Sequence, residues 1–535
     1  MLENLFQSLI CVKCGATGLN TVVEDFQGFA ANVTVKCPAC QTCCAQTYTS
    51  PRVSCESSSR PPFEVNKRVV SAFSDFGRGY AAIEKFCMSM GMHVMSKSTY
   101  NSHLQDRAED DKILRHNVLD MAHNAVRKAY TGLNQDQGPE NVVDITVSYD
   151  GSWHKRGHMS HYGVGIVIDV LTGLVIDFEV LSTYCATCSN KVKTLNKDSE
   201  AYKEWMQNHK ESGECEANYS GSAGSMEVAI AEVLWKRSVN VCGMRYVTML
   251  SDGDSKAFNH LQSLKVYGNE VKLQKDECIN HVSKRLVTGL NNIVSEWRAK
   301  RVTVGGTKTG RLTKETILKL QLYYRQAIKN NIPNVQHMKT AIYATLYHAM
   351  STDEKPQHLK CPGGASSWCF YNRATARGEI PPKHDKTTMT TVLDSSVVAK
   401  IIPVYQKLAS NELLERCKQG KTQNTNECLH SVIWNYCPKT VFVAKKKVDI
   451  VTSAVSVFKM GCEVSEKLKE SATGLDMSES GVKVSVQRDK RRINQSEVTH
   501  NTGHRSIRKR LKFSKMASQH QKKRAEGTTY GAGQF

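Results

Sequence analysis

Asp150 and Asp252 each close an apolar, strand-like run, and each is followed by glycine. The first run is Val142-Val143-Asp144-Ile145-Thr146-Val147-Ser148-Tyr149, leading into Asp150-Gly151-Ser152-Trp153. The second is Tyr246-Val247-Thr248-Met249-Leu250-Ser251, leading into Asp252-Gly253-Asp254. A carboxylate at a strand end sits on a rigid edge. Two such edges can share a pair of divalent ions, an arrangement that cuts and joins phosphodiesters. Mg²⁺ or Mn²⁺ suits such a set, because hard cations take carboxylate oxygens. Asp252 ends its strand directly and is preferred as the second ligand; Asp254, two residues on, points the same way by alternation and is the alternative. The surrounding chain is basic, with 72 Lys and Arg against 51 Asp and Glu, a net charge of +21. An acidic metal site inside a basic protein points to nucleic acid as the substrate.

The cysteines offer a second chemistry. There are 19, an odd number, and many fall in C-x-x-C or C-x-x-H spacings. The start, Met1-Leu2-Glu3-Asn4-Leu5-Phe6-Gln7, lacks the basic n-region and apolar run of a secretory leader. These features favour zinc in a reducing compartment over the disulfides of a secreted protein. Cys11, Cys14, Cys37 and Cys40 predict a zinc ribbon, with Cys43, Cys44 and Cys55 to spare. Cys185, Cys188, His209 and Cys215 predict a second zinc set. No run approaches the roughly twenty apolar residues of a membrane span.

Several elements must position these groups, and 535 residues exceed one ordinary domain. Residues 1–60 read as a zinc-ribbon-like, cysteine-rich module with short strands at 22–23 and 30–35. Residues 61–135 read as a helical module. From 136 to 285 the pattern gives strands at 142–150, 163–170 and 174–182, a helix at 225–236, a strand at 246–251, a helix from 255 and a short strand at 270–273. That order opens an RNase H-like fold, whose first and fourth strands lie side by side and here end in Asp150 and Asp252. An insertion at 183–220 carries the second zinc set. Residues 286–415 form a helical insertion. Lys284, Arg285, Arg298, Lys300 and Arg301 are its candidate DNA-binding cations, although a charge run is commonly a solvated helix face.

Residues 416–460 return to the RNase H-like domain. Glu427 falls in the first turn of a helix that Asn424 or Thr425 can cap and that ends before Pro438. Leu429, Val432, Ile433 and Tyr436 form its apolar stripe, and His430 and Trp434 share the face of Glu427. A glutamate there is also what a helix dipole favours without any ligand. Residues 461–535 are polar and basic and predict a disordered tail. From Arg488 onward there are thirteen Lys and Arg against three Asp and Glu. Lys490-Arg491-Arg492, Arg508-Lys509-Arg510 and Lys522-Lys523-Arg524 suit nuclear import or non-specific phosphate contact. The expected fold class is therefore α/β (α+β) and multidomain: an RNase H-like mixed sheet core, a helical insertion, an N-terminal zinc ribbon and a disordered basic C-terminal tail.

From about residue 60 to its end, the chain resembles the Mutator-like (MULE-type) DDE transposases. The residues that carry the resemblance are Asp150-Gly151-Ser152-Trp153-His154-Lys155-Arg156-Gly157, Ser251-Asp252-Gly253-Asp254-Ser255, Cys278-Ile279-Asn280-His281, Asn426-Glu427-Cys428-Leu429-His430-Ser431-Val432-Ile433-Trp434 and the closing Tyr530-Gly531-Ala532-Gly533-Gln534-Phe535. The resemblance implies that Asp150, Asp252 and Glu427 are the catalytic acids holding Mg²⁺ (or Mn²⁺), and that a large helical insertion separates the last two. It implies a nuclear enzyme, a homo-oligomer, that nicks transposon ends by hydrolysis and joins them to target DNA by transesterification. The C-x-x-H of Cys278 and His281 marks this family, and His358-Leu359-Lys360-Cys361 mirrors its spacing, which predicts a third zinc held by Cys278, His281, His358 and Cys361. In related transposases an insertion-domain tryptophan stacks on a flipped base, a role Trp368 could take if it is not packed in a core. Two other readings remain open: a former transposase kept as a non-enzymatic, zinc-dependent DNA-binding protein, and an RNase H-like nuclease that cuts without joining.

Overall fold

The computed structural model describes residues 6, 8–53, 61–133, 142–155, 160–253, 256–385, 387–438, 444–457 and 460–500. The chain divides into two units, residues 1–118 with 456–535, and residues 119–455.

In the first unit, β1 (Asn20–Gln27), β2 (Ala30–Lys36) and β3 (Cys43–Tyr48) form an antiparallel sheet in chain order. The third strand is absent from the sequence expectation, because its residues, CCAQTY, carry no apolar alternation. Gly28 turns β1 into β2 at a φ of 71°, and a Cβ there would collide with Asn66. The Asn66 side chain spans this turn, accepting from Phe29 N–H and donating to the Gln27 carbonyl, each at 2.8 Å. Three helices follow: α1 (Glu64–Asp75), α2 (Tyr80–Met90) and α3 (Lys97–Leu133). Val70, Ile83, Cys87, Met95 and Tyr100 give the first two and the start of α3 a small shared core.

The expected disorder from residue 461 is corrected in part, since Cys462–Thr473 and Glu479–His500 are helices. Their polar residues mask the packing, which uses ion pairs as well as the small cluster of Leu114, Val118 and Ala472. Lys469 Nζ lies 2.7 Å from Asp75, whose other oxygen takes Arg107 at 2.9 Å. Arg107 is 2% exposed and also faces Asp111 at 3.4 Å. Burial alone would raise the Asp75 carboxyl, but the Lys469 and Arg107 charges outweigh it and hold the group below its ordinary value. The basic clusters at 508–510 and 522–524 lie outside the described residues.

The second unit is built on a five-stranded mixed sheet ordered β6-β5-β4-β7-β8: β4 (Val143–Trp153), β5 (Tyr162–Asp169), β6 (Val175–Ser182), β7 (Met244–Ser251) and β8 (Gln274–Glu277). β4, β5 and β6 run antiparallel in turn, whereas β7 lies parallel to β4 and β8 parallel to β7. Between β6 and β7 come α4 (Ala186–Thr194), α5 (Glu200–Glu211) and α6 (Met226–Cys242), and α7 (Lys256–Leu264) separates β7 from β8. The expected helix at 225–236 runs on to Cys242, where Gly243 in the left-handed conformation caps it. The alternation along β4 sends Val143, Ile145, Val147 and Tyr149 to one face, against Leu234, Trp235 and Leu261.

The chain then forms α8 (Ile279–Ala299), α9 (Lys314–Lys329), α10 (Val335–Ala349), α11 (Phe370–Ala376), α12 (Ser395–Leu408) and α13 (Asn411–Glu415), the helical insertion, with its own core of Leu286, Leu290, Leu320, Tyr324, Ile342, Ile401 and Tyr405. It returns as α14 (Asn424–Tyr436) and α15 (Lys445–Val457). Leu429, Ile433, Val448 and Val451 of this return pack on the other sheet face, against Val164, Ile166, Phe178 and Val180. The sheet is thus covered on both sides, and β5 is buried throughout. β8 lies at 274–277 instead of the expected 270–273, because its residues, QKDE, hide a strand behind charges. Lys275 and Glu277 are nonetheless buried, and Arg285 pairs with Glu277. Among the described residues, no helix is long and apolar enough to cross a membrane.

Candidate active site

Parallel pairing of β4 with β7 sets Ser148 beside Leu250. Extending that register by two residues would set Asp150 level with Asp252, which lies just past the end of β7. The backbone turns away at Gly253, where a Cβ would run into the Arg285 guanidinium. Asp254 lies outside the described residues. Glu427 arrives from the first turn of α14, and polar side chains lock that turn to β4. Asn426, fully buried, accepts from Ser148 Oγ at 2.6 Å and donates to the Ile166 carbonyl at 3.1 Å. Gln423 Nε2 donates to the Tyr149 carbonyl at 2.8 Å, and Trp434 Nε1 to Ser152 Oγ at 2.7 Å. The helix begins at Asn424, with Gln423 as its cap residue in place of the expected Asn424 or Thr425.

One histidine links two of the acids, and a second contacts the third. His281 Nε2 lies 2.9 Å from Glu427 Oε1, and its Nδ1 lies 3.8 Å from Asp252 Oδ2. The contact with Asp252 chiefly, against burial and with help from Glu427, raises the His281 pKa above its ordinary value. The Glu427 carboxyl is lowered, chiefly by His281 and then by Lys284, whose Nζ is 3.6 Å away. His430, buried, sits 3.3 Å from Asp150 Oδ2 through Nδ1. Sequence reasoning assigned no role to His430, Asn426 or Gln423; their place on the sheet-facing turns of the Glu427 helix was the available signal.

The other candidate cations are spread out. Arg285 is committed to Glu277, and Lys300 pairs with Glu296 at 2.6 Å. Arg298 and Arg301 are exposed. Trp368 is 51% exposed.

Among the described residues, three groups of Cys and His converge closely enough that they could hold a metal ion. In the first, Cys11 and Cys40 sulfurs lie 3.7 Å apart, and those of Cys14 and Cys37 3.6 Å. Hydrogen bonds with Thr42 bring the Cys40 thiol down to about 6, whereas Cys14, despite a backbone hydrogen bond at Ala16, is pushed up to about 12 by Cys40 and Cys37. Cys44 stands 3.9 Å from Cys11, Cys43 is exposed, and Cys55 lies outside the described residues. In the second, Cys185 faces His209 Nε2 at 3.4 Å, and Cys188 faces Cys215 at 3.6 Å. Burial would raise the Cys185 thiol, yet His209 and backbone donors bring it down to about 6. Tetrahedral zinc demands ligand-to-ligand edges of roughly 3.3–3.8 Å, and these distances fall in that range, so both sets could hold the ion.

The third group corrects the sequence expectation. It is His348, His358, Cys361 and Cys369, without Cys278 or His281. Cys278 is buried at the start of α8 and accepts from Gln423 N–H at 3.4 Å, while the ring of His281 is turned to the acids. Matching C-x-x-H to H-x-x-C paired two motifs by symmetry of spacing, whereas the fold supplies the missing ligands from α10 and from the start of α11.

A search of curated proteins found no match. The family model described as Mutator-like transposase matches residues 1–369, which include Asp150, Asp252 and all three Cys/His groups and stop short of the helix bearing Glu427. With more than half of its length matched, the chain belongs to the Mutator-like transposase family.

Proposed function

We propose that this chain is a DDE-type transposase that cleaves DNA strands and transfers them, with Asp150, Asp252 and Glu427 as the metal-binding acids. The observation that carries the reading is the junction itself: the parallel β4–β7 register aligns the first two acids, and His281 contacts both the second and the third. The strand order supports an RNase H-like core, with two antiparallel partners on one side of β4 and two parallel strands on the other. The donor set fits hard divalent cations, since carboxylate oxygens are what Mg²⁺ or Mn²⁺ requires. Polar capacity remains beside them: Gln423 Oε1 and His430 Nε2 are buried without a hydrogen-bond partner among the described residues. When bound, two such ions supply Lewis-acid stabilisation for in-line displacement at phosphorus.

The chain's own residues do the rest. His430 orients Asp150, and His281 orients Asp252 and Glu427. Lys284 adds a cation on the same side, and exposed Arg298 and Arg301 offer phosphate contacts farther along α8 and just beyond its end. A nuclear location and action as a homo-oligomer on transposon ends and target belong to the same proposal.

The test is incubation of the full chain with labelled candidate end DNA, target DNA and Mg²⁺. Strand-transfer products that vanish in Asp150→Ala and Glu427→Ala support the reading. Cleavage without joining would instead indicate a nuclease, and binding without cleavage a non-enzymatic DNA-binding protein.

A further inference from the structure

The loop between α10 and α11 is poor in the means to fold by burial. Residues 351–369 include Asp353, Glu354, Lys355, Gln357, Lys360, Gly363 and Gly364, and their only apolar nucleus joins Cys361 and Cys369 to Ala344, with Tyr371 against it. We propose that His348, His358, Cys361 and Cys369 bind one Zn²⁺ ion in a closed tetrahedral site that locks this loop onto the end of α10.

The ligand atoms lie near the dimensions of the ion, with edges from 3.2 to 4.0 Å. His348 Nδ1 and His358 Nδ1 are 3.2 Å apart. Cys361 Sγ lies 3.6 Å from His348 Nδ1 and 4.0 Å from His358 Nδ1, and Cys369 Sγ lies 3.4 Å from His358 Nδ1. Edges of roughly 3.3–3.8 Å follow from ordinary zinc–sulfur and zinc–nitrogen bonds in a tetrahedron. Two sulfurs with two imidazoles select zinc over Mg²⁺ or Ca²⁺, and four protein ligands leave no position open for chemistry.

The surroundings orient those ligands as an outer shell does. His358 turns its other nitrogen, Nε2, to Ser351 Oγ at 3.0 Å and to His384 Nε2 at 2.8 Å. His384 in turn holds Asp353 through Nδ1 at 2.7 Å. The amide of Asn372 donates to the carbonyls of His358 and Cys361, at 3.2 and 3.1 Å. Tyr371 stacks on the His358 ring at 4.5 Å between centroids.

The site also shapes what lies beside it. His348, Cys361 and Trp368 line a cleft of about 1140 Å³ that runs along α9 and α10. Trp368 packs edge-on to the ligand His348, with centroids 5.0 Å apart. The metal therefore fixes one wall of that cleft.

The test is metal content per full-length chain by plasma mass spectrometry, with absorption spectra of the Co²⁺-exchanged protein. Cys369→Ser and His348→Ala should each lose one zinc equivalent relative to the unsubstituted protein, and Cys278→Ser none. His348→Cys should keep its zinc and, with Co²⁺, gain one thiolate's worth of charge-transfer absorption. Full zinc in Cys369→Ser, or an equivalent lost from Cys278→Ser, overturns the proposal. If Cys369→Ser proves insoluble, His348→Cys decides alone, and a Co²⁺ spectrum identical to that of the unsubstituted protein rejects the site.

Discussion

Cys185, Cys188, His209 and Cys215 reach one point from a single short excursion of the chain, whereas Asp150, Asp252 and Glu427 come from three segments separated by entire subdomains. The first kind of site is closed by local turns, so its geometry would depend on an ion bound there. The second depends on strand register and helix docking, and histidines and a lysine already balance its acids in the protein alone. Metal removal should consequently unfold the first locally and leave the second's framework standing.

The sharpest way to break this contrast is to remove an acid. Asp150→Ala or Glu427→Ala should lower strand transfer by at least ~10³-fold, equivalent to several kcal/mol of transition-state stabilisation. Melting temperature and DNA affinity should barely move; a collapse of the fold would show that the acids are structural. Cys185→Ser should do the reverse, releasing one metal equivalent and exposing residues 184–219 to hydrogen exchange, while β4 to β6 stay protected.

Asp75→Ala tests an ion-paired site with no metal in view. Removing the carboxylate leaves buried Arg107 to Asp111 and half-buried Lys469 to Glu466, and should cost about 1–3 kcal/mol in denaturant unfolding. The Asp75 pKa is depressed in the fold, so its contribution is complete above the unfolded carboxyl value, near pH 4, and is lost as pH falls through the lower folded value. Asp75→Asn should flatten the acid limb of a stability–pH curve; an unchanged limb refutes the assignment. Asn426→Ala should cost about 1–3 kcal/mol, because it orphans buried groups on β4 and β5. It should also slow the reaction, since Glu427 is the next residue. The smallest effect is expected one position further on, where exposed Cys428→Ala should stay within about 0.5 kcal/mol and leave activity unchanged.

The same contrast governs what was legible in the sequence. Strict alternation from Val143 to Asp150 announced a strand with one buried face, and C-x-x-C spacings announced the first two Cys/His groups, because both signals are local. β8 escaped because its polar residues satisfy one another in the interior, Lys275 with Glu277 at 3.8 Å. The helices at 462–473 and 479–500 escaped for a like reason, as Lys469 and Asp489 are anchored by partners far away in sequence. His348 and Cys369 stand at no recognisable spacing and meet only through the fold of the helical insertion. The strand ends at Asp150 and Asp252 and the helix turn at Glu427 were legible locally, whereas the histidines beside them, His281 and His430, meet them only in the fold.

The insertion leaves and re-enters the core at nearly one place. At its exit, Ile279 N–H donates to the Lys421 carbonyl at 3.3 Å, and Asn280 bonds Asn424 at 2.9 Å. Its departure and return are therefore stapled side by side, immediately before the helix that carries Glu427. A segment with joined ends behaves as a closed loop, for which doubling the length costs only about 0.6 kcal/mol of closure entropy. Beyond the first turns of α8, which supply His281 and Lys284 to the acid junction, the loop can therefore change length while the core keeps its register.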